Sequence, residues 1–552
     1  MKFGAKFQSD RSPVERPPGW FWLLPLGVSL LRTLPYLWLQ MGAPPPGQAY
    51  LKLGYLPKDF LCYLAFMRQV GDGGAAVFLN PFTTDPQSPR FVLLLHWLLG
   101  VVASVTGHLE AVLEFSRIPL AFLFFWALWR FLRPILTERS DRLWACILVA
   151  FSGGVESYLQ PLIGLMPPIW SDQYHQDTWQ LFGWNTFASF FNPLWIAALT
   201  CILVTLGPVL RPEGPQGPRD LSQISFGLLT TYLIHPYSAI FVLIVAIVIP
   251  AVELLLGAPF VPKKHASVAL ALCLPLAAII PLAVWQSQEP IYRQSAATIL
   301  GPQAAAVFWY PLTFGILGLA ALRGAHDAFA NQQPFRYALT SWIVAAVWLH
   351  TSPLINGYKF LLYLHPALCI LAAPVIRRTT QQLPRHGPAL KCLATLAAFA
   401  LFGQGLLLPL QSIREAQAAN ATPTEYIDIT ATLAQLPPGN VLAPPDLGNI
   451  LPAYTPHRVW VGHWFLTPNY EAKAQLYMSL ARGEGSPDAL LNLLAEQRIR
   501  YLVLPLSRAR ELSALKTKVV NAHVFGKLAL LTLGGTGSPQ VPAAPSPVPL
   551  GQ

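Results

Sequence analysis

The stretch YLPKDFLCYLAFMRQ, residues 55–69, sets an acidic residue, Asp59, in a chain that otherwise avoids charge. Phe60, Tyr63, Leu64, Met67 and Val70 recur at helical spacing, which predicts an amphipathic helix with Asp59 near its first turn. The helix dipole favours a carboxylate there, and that alone accounts for an Asp at a helix start. The flanks say what kind of helix this is. It lies in a segment, 41–90, between an apolar run at 19–40 and another at 91–107, beside GAPPPGQAY and NPFTTDPQSPRF. The sequence therefore predicts a surface helix in a long loop between hydrophobic spans.

The composition supports that setting. Of 552 residues, 53% are hydrophobic and 11% are charged, against about 25% charged in soluble domains. Twelve apolar runs, from 19–40 to 391–411, are too long for strands, and helices bond their own backbone inside lipid. The 17 Trp and 18 Tyr suit two interfacial belts. Net charge is +11, yet the cations lie mostly in short loops between apolar runs: Arg130 to Arg142, Arg211 to Arg219, Lys263 and Lys264, Arg323 to Arg336, and Arg377 to Lys391. That is a topology pattern, and it argues against nucleic acid as a partner. The six cysteines are scattered, with no metal or disulfide framework in their spacing. Residues 19–40 follow Lys2, Lys6, Arg11 and Arg16 without a clear cleavage site and read as a retained span.

If every basic loop and the N-terminus share the cytoplasmic side, one early run cannot cross, and the short 91–107 is the exception. The predicted fold is an all-α polytopic membrane domain of about eleven spans plus a re-entrant or juxtamembrane helix, followed by a small external α/β domain. The expected divisions are a cytoplasmic N-terminus (1–18), the membrane domain (19–411), the α/β domain (412–535) and a disordered Pro- and Gly-rich tail (536–552). In the α/β domain Val441–Ala443, Val459–Val461 and Tyr501–Leu504 are expected strands, and 470–482 and 487–497 helices.

A first span, a loop whose acidic residue opens a surface helix, and then NPFTTDPQSPRFVLLLHWLLG resemble the GT-C superfamily. These are polytopic glycosyltransferases that use polyprenyl-phosphate sugars, and the likeness is to the bacterial branch distantly similar to protein O-mannosyltransferases. The resemblance covers most of the chain. It implies that Asp59 is the first-loop carboxylate that acts as catalytic base or as an acceptor-orienting, metal-coordinating group. It also implies a basic residue near the start of a late span that contacts the lipid phosphate, where Lys359 stands beside Asn356 and His365 in SPLINGYKFLLYLHPAL. FASFFNPLW departs from the pattern, placing Asn192-Pro193 where related sequences carry Pro-His.

Other residues on the expected external side could complete a site. Asp172, His175 and Asp177 in SDQYHQDTW could ligate a divalent cation, serve as a second acid–base group, or be ordinary loop polarity. His235, beside Pro236, either holds freed carbonyls or serves a membrane-depth site. Arg293, near Glu289, could bind phosphate or anchor at the interface; Arg68 and Asn80 of the first loop are expected to bind substrate, as is Asn356, while Arg68 and Arg90 could instead pair with lipid headgroups. His457 and His463 read as fold residues of the α/β domain, and Asn420-Ala421-Thr422 fits a glycosylation sequon. The expected function is sugar transfer from a polyprenyl-phosphate-linked donor to a lipid, glycan or protein acceptor at the external face of a bacterial inner membrane. The competing classes are a transporter or lipid flippase and a surface-polysaccharide ligase or polymerase. No cofactor is required beyond a possible divalent cation.

Overall fold

The computed structural model describes residues 16–54, 57–74, 76–153, 186–258, 260–300, 310–352, 357–383, 387–484, 486–511 and 518–534. The chain enters through α1 (Leu23–Met41) and a first loop that holds strand β1 (Gln48–Tyr50), α2 (Pro57–Gly71), and strands β2 (Val77–Phe78) and β3 (Phe91–Val92). There follow α3 (Leu94–Thr106), α4 (Leu109–Phe115), α5 (Arg117–Leu132), α6 (Arg139–Phe151), α7 (Pro193–Val209), α8 (Pro218–Ile234), α9 (Pro236–Leu255) and α10 (Pro262–Ser287). The bundle ends with α11 (Pro290–Leu300), α12 (Tyr310–Ala330), α13 (Arg336–Thr351), α14 (Leu361–Gln382) and α15 (Pro388–Asn420). Proline opens α7, α8, α9, α10 and α15, where its missing N–H has no partner to lose. Asn192 caps α7, its side chain accepting the Leu194 N–H at 3.0 Å. That gives the Asn-Pro departure from the family pattern a local structural use.

Five stretches are long and apolar enough to cross a membrane: Gly19–Met41, Leu109–Leu132, Pro236–Leu255, Pro262–Ser287 and Leu361–Gln382. Shorter apolar helices accompany them, among them Leu94–Thr106 and Pro193–Val209, so the described residues show several apolar helices and not the eleven full spans expected from the loop charges. α3 is the exception anticipated. Its 13 residues reach about 20 Å, against about 30 Å of hydrocarbon. Instead it lies along α2, so closely that a Cβ at Gly100 would stand 2.7 Å from the Met67 carbonyl.

The two ends of the bundle differ. At one end ion pairs tie helix termini together: Arg211 to Asp220 at 2.6 Å, Lys264 to Glu253 at 2.5 Å and Arg377 to Asp141 at 2.5 Å. At the other, Tyr232 donates to Gln286 at 3.0 Å, and Gln286 donates to the Arg90 carbonyl at 3.0 Å. Ser238 and Tyr363 share a hydrogen bond of 2.6 Å there. The first loop, the α8–α9 turn and the start of α14 therefore gather at one end, away from the basic loops.

The C-terminal domain sits on that same end. It comprises β4 (Ala421–Pro423), α16 (Thr424–Ala434), β5 (Asn440–Leu442), α17 (Pro445–Tyr454), β6 (Arg458–Val459), α18 (Tyr470–Arg482), α19 (Pro487–Glu496), β7 (Ile499–Pro505), α20 (Leu506–Glu511), β8 (Val519–Phe525) and β9 (Leu528–Leu533). Five strands form one sheet in the order β6-β5-β7-β9-β8, parallel across β6-β5-β7 and antiparallel beyond. The hairpin β8–β9 was not anticipated from the sequence; the three parallel strands and both predicted helices are present.

One face of the sheet packs on α18 and α19 through Leu442, Val461, Tyr477, Leu490, Leu494 and Leu502. The other face packs on α16 and α17, through Ile429, Leu433, Leu447 and Leu451, and on the first loop. Cys62, Ala65, Phe66, Phe78, Phe82 and Phe91 share a buried cluster with Val441, Leu447, Val459 and Val503. The loop and the domain thus have one core between them. β1 adds to this by pairing antiparallel with β4, Tyr50 opposite Ala421. Asn420 closes the junction. Fully buried, it accepts the Leu53 N–H at 2.9 Å and donates to the Gly54 carbonyl at 3.1 Å. Its amide is committed to the fold, so the sequon there is a chance triplet.

Candidate functional site

Two anchors fix where α2 begins. Upstream, the Gly54 N–H donates to Glu114 at 2.8 Å, and Glu114 pairs with Arg117 at 2.7 Å, both side chains buried. The Arg117 guanidinium in turn lies 5.1 Å from the centre of the Phe60 ring. Within α2, Phe60, Leu61, Leu64, Ala65 and Met67 are buried. Asp59 is on the opposite side of that first turn, with its side chain 38% exposed. The two cations near it in sequence turn elsewhere. Lys58 pairs with Asp446 at 3.7 Å in solvent. Arg68 pairs with Asp72 and donates to the Pro452 carbonyl at 3.1 Å, so its guanidinium braces α2 against α17 and is not open to a substrate.

The partner of Asp59 comes from the far end of the chain. His463 Nε2 stands 3.6 Å from Asp59 Oδ1, with the imidazole wholly buried. Its ring lies edge-on between Phe82, at 5.7 Å, and Phe465, at 4.4 Å. The segment that carries it is tied to the first loop. Val459 donates to the Pro81 carbonyl at 3.0 Å, and Thr467 Oγ donates to the Phe82 carbonyl at 2.8 Å while accepting the Gly462 N–H at 3.0 Å. Asn80 Nδ2 donates to the Leu466 carbonyl at 2.6 Å and Asn80 Oδ1 accepts the Phe82 N–H at 2.9 Å. Asn80 is therefore a buried organiser of this seam. Gly462 and Gly448 make the approach possible, because a Cβ on Gly448 would stand 2.0 Å from the Val461 carbonyl. Trp464, next in sequence, is 51% exposed at the rim.

Two other ionisable groups beside Asp59, Cys62 and Tyr63, are held neutral. Burial, and then the Asp59 charge, raise the Cys62 thiol and the Tyr63 phenol well above their ordinary ranges. Tyr63 also accepts from Asn192 Nδ2 at 2.9 Å and packs on His96, whose imidazole burial lowers to about 4. Neither the thiol nor the phenol is an anionic nucleophile at neutral pH. Of Asp59, Cys62 and Tyr63, it is Asp59 whose side chain is substantially exposed.

The remaining predicted residues fall as follows. His235 sits at the α8–α9 turn, with Nδ1 2.8 Å from Ser238 Oγ in a chain that continues to Tyr363. Arg293 is exposed on α11, one residue from Gln294, which donates to Asn469 of the C-terminal domain at 3.2 Å. Glu289 accepts the Ser88 N–H at 3.0 Å and so anchors the first loop. Arg90 lies over the Trp285 ring at 4.3 Å. Lys359 falls in the turn Gly357–Phe360 that leads into α14, and His365 in α14 links Thr186 to the Ser152 carbonyl. Asp172, His175, Asp177 and Asn356 lie outside the described residues.

Among the described residues no three His, Cys, Asp or Glu side chains gather as a cradle for a metal ion. Asp59 and His463 alone are too few ligands for a divalent cation, and Asp172, His175 and Asp177, the expected ligands, lie outside the described residues. His457, by contrast, is the fold residue expected, donating to the Leu433 carbonyl at 2.8 Å. His463 was read the same way and is the functional candidate that sequence reasoning missed. One signal could have found it: it follows a strand of a parallel sheet at its carboxyl end, where α/β domains place their sites.

No family model matches this chain, and no curated protein matches its sequence. Solved structures do match its fold. ArnT from Cupriavidus metallidurans, bound to undecaprenyl phosphate, superposes with a TM-score of 0.54 over 95% of this chain and 100% of its own, at 14% identity. The archaeal oligosaccharyltransferase AglB from Archaeoglobus fulgidus, in complex with an inhibitory peptide and a dolichol-phosphate, gives 0.51 over 89% of this chain and 70% of its own, at 12% identity. Its apo form gives 0.50 over 87% and 69%, at 13% identity.

Proposed function

Starting from a chain that carries the fold of the GT-C membrane glycosyltransferases, we propose that it moves a sugar from a polyprenyl-phosphate-linked donor to a lipid, glycan or protein acceptor. Asp59 is the acceptor-activating carboxylate, and transfer proceeds at the external face of a bacterial inner membrane. The observation that carries this reading is the place of Asp59: half-exposed, at the head of a helix whose other side is buried, in the seam between the bundle end and the C-terminal domain. ArnT and AglB were each solved with a polyprenyl-type phosphate, which supports that class of donor.

The chemistry is a displacement with inversion. The acceptor heteroatom forms a bond to the anomeric carbon as the bond from that carbon to the phosphate oxygen breaks. The acceptor proton passes to Asp59, and the lipid phosphate leaves with the bonding electron pair. Its added charge calls for cations, and Arg293, exposed on α11, and Lys359, at the start of α14, are the residues assigned to it. A transporter would place its polar residues at mid-bilayer, between related halves; here Asp59, His235 and Lys359 stand at one bundle end and the ion pairs of the basic loops at the other. Polysaccharide ligation differs only in the acceptor.

The test is Asp59→Asn in the full chain, with transfer from a labelled undecaprenyl-phosphate sugar as readout. A positioned general base contributes about 10²- to 10⁴-fold, so turnover is expected to fall at least about 100-fold, with unchanged expression and melting. Turnover equal to wild type removes Asp59 from the chemistry.

A further inference from the structure

We infer that His463, delivered by the C-terminal domain, is the positioning residue that orients the Asp59 carboxylate, an inference that rests on the role proposed for Asp59 above. The two side chains are unequal. Asp59 is partly in solvent, whereas the imidazole is fully buried and held edge-on by Phe82 and Phe465. The fixed partner therefore sets the direction of the exposed one.

Neither ring nitrogen of His463 has a hydrogen-bond partner among the described residues. A buried polar group left unbonded is destabilising and uncommon, and this one faces the carboxylate at a distance only slightly beyond bonding. A small rotation of Asp59 lets Nε2–H donate to Oδ1. That bond would fix one carboxylate oxygen and leave the other for the acceptor proton. The two cations nearest in sequence turn elsewhere, Lys58 to Asp446 and Arg68 to Asp72.

The surroundings are built to keep the imidazole in place. Thr467, Asn80 and the Gly448–Gly462 contact lock the His463 segment onto Pro81 and Phe82 of the first loop. The C-terminal domain would thus complete the active site, and the bundle alone would hold an undirected carboxylate.

The experiment compares His463→Gln, which keeps an N–H near the Nε2 position, with His463→Phe, which keeps the ring volume and removes the donor. Both are made in the full-length protein and assayed with labelled undecaprenyl-phosphate hexose, and melting temperature confirms folding. Removing a group that orients a catalytic side chain typically lowers activity about 10- to 100-fold. His463→Phe is expected to lose kcat by about that much with donor KM changed less than about twofold, while His463→Gln keeps most of kcat. In an Asp59→Asn background His463→Phe should lower turnover no further. Where the Phe variant does not accumulate, His463→Asn replaces it, because its shorter amide cannot reach the Nε2 position. The inference is overturned by wild-type kcat in the Phe variant, by a folded Gln variant as slow as Phe, or by losses that multiply with Asp59→Asn. Wild-type turnover in Asp59→Asn alone would instead overturn the role of Asp59.

Discussion

Asp59 keeps contact with water while Phe60, Leu61 and Leu64 beside it in α2 are buried, and the residues behind it explain how. The turn that leads into the helix is pinned by the buried Glu114–Arg117 pair, which holds the Gly54 N–H. Gly54 is required there by contact. A Cβ would stand 2.7 Å from Glu114 Oε1 and 3.1 Å from Arg117 Nη2, both part of a buried ion pair that cannot move freely. Gly54→Ala is therefore expected to destabilise by about 1–3 kcal/mol, as overpacking does, and to misplace Asp59. Lower melting temperature and lower turnover together check this; a variant that melts and turns over as wild type would show that the contact relaxes freely. His457 supports a second residue-scale prediction. Burial lowers its imidazole pKa, and the ring accepts the Gly439 N–H through Nδ1 at 3.1 Å, which requires the neutral form. The unfolded chain, with a His near 6.5, binds that proton more readily than the folded one. Stability contributed by neutral His457 is present above about pH 6.5 and lost as pH falls below it. Melting temperature followed from pH 7 to 5 should show a decline that flattens in His457→Gln.

At the scale of elements, the seam between the first loop and the β6–α18 connection determines the site. α2 was legible from apolar spacing, and the predicted strands were legible because short β-branched and apolar runs between turn residues leave few alternatives. Their mutual contact was not. Pairing β1 with β4 and packing Phe82 beside His463 join segments far apart in the chain, and no local pattern encodes such a meeting. Asp59 stood out because charge is rare in its neighbourhood, whereas His463, among Val459, Trp460, Val461, Trp464 and Phe465, reads as an ordinary packing residue of a small α/β domain. The seam is testable through Thr467, whose hydroxyl bridges Gly462 and the Phe82 carbonyl. Thr467→Val keeps the shape but leaves both partners unbonded, at a cost of about 1–3 kcal/mol. Turnover should fall with stability, because the His463 segment loses its tie to the loop; a variant with lower stability and full turnover would separate the two.

At the scale of the whole molecule, bundle and C-terminal domain are legible as two compositions but fold as one. The sheet covers one face with its own α18 and α19, and on the other Ile429, Leu433, Leu447 and Leu451 of α16 and α17 share the core with Phe66, Phe78, Phe82 and Phe91 of the first loop. Each buried aromatic of that kind contributes about 1.5–3 kcal/mol, so the shared core is too large for the C-terminal piece to lose without consequence. Cutting the chain after Asn420 tests this. Residues 421–552 produced alone should expose the face of Val441, Leu447, Val459 and Val503, bind a hydrophobic dye and self-associate. Produced together with residues 1–420, the two pieces should purify as one complex in detergent, because the β1–β4 pairing and the shared core do not need the covalent link. A C-terminal piece that is monomeric, binds no dye and melts cooperatively by itself would show that the loop only rests on a finished domain. In that case the first loop would no longer be the element that organises the seam around Asp59.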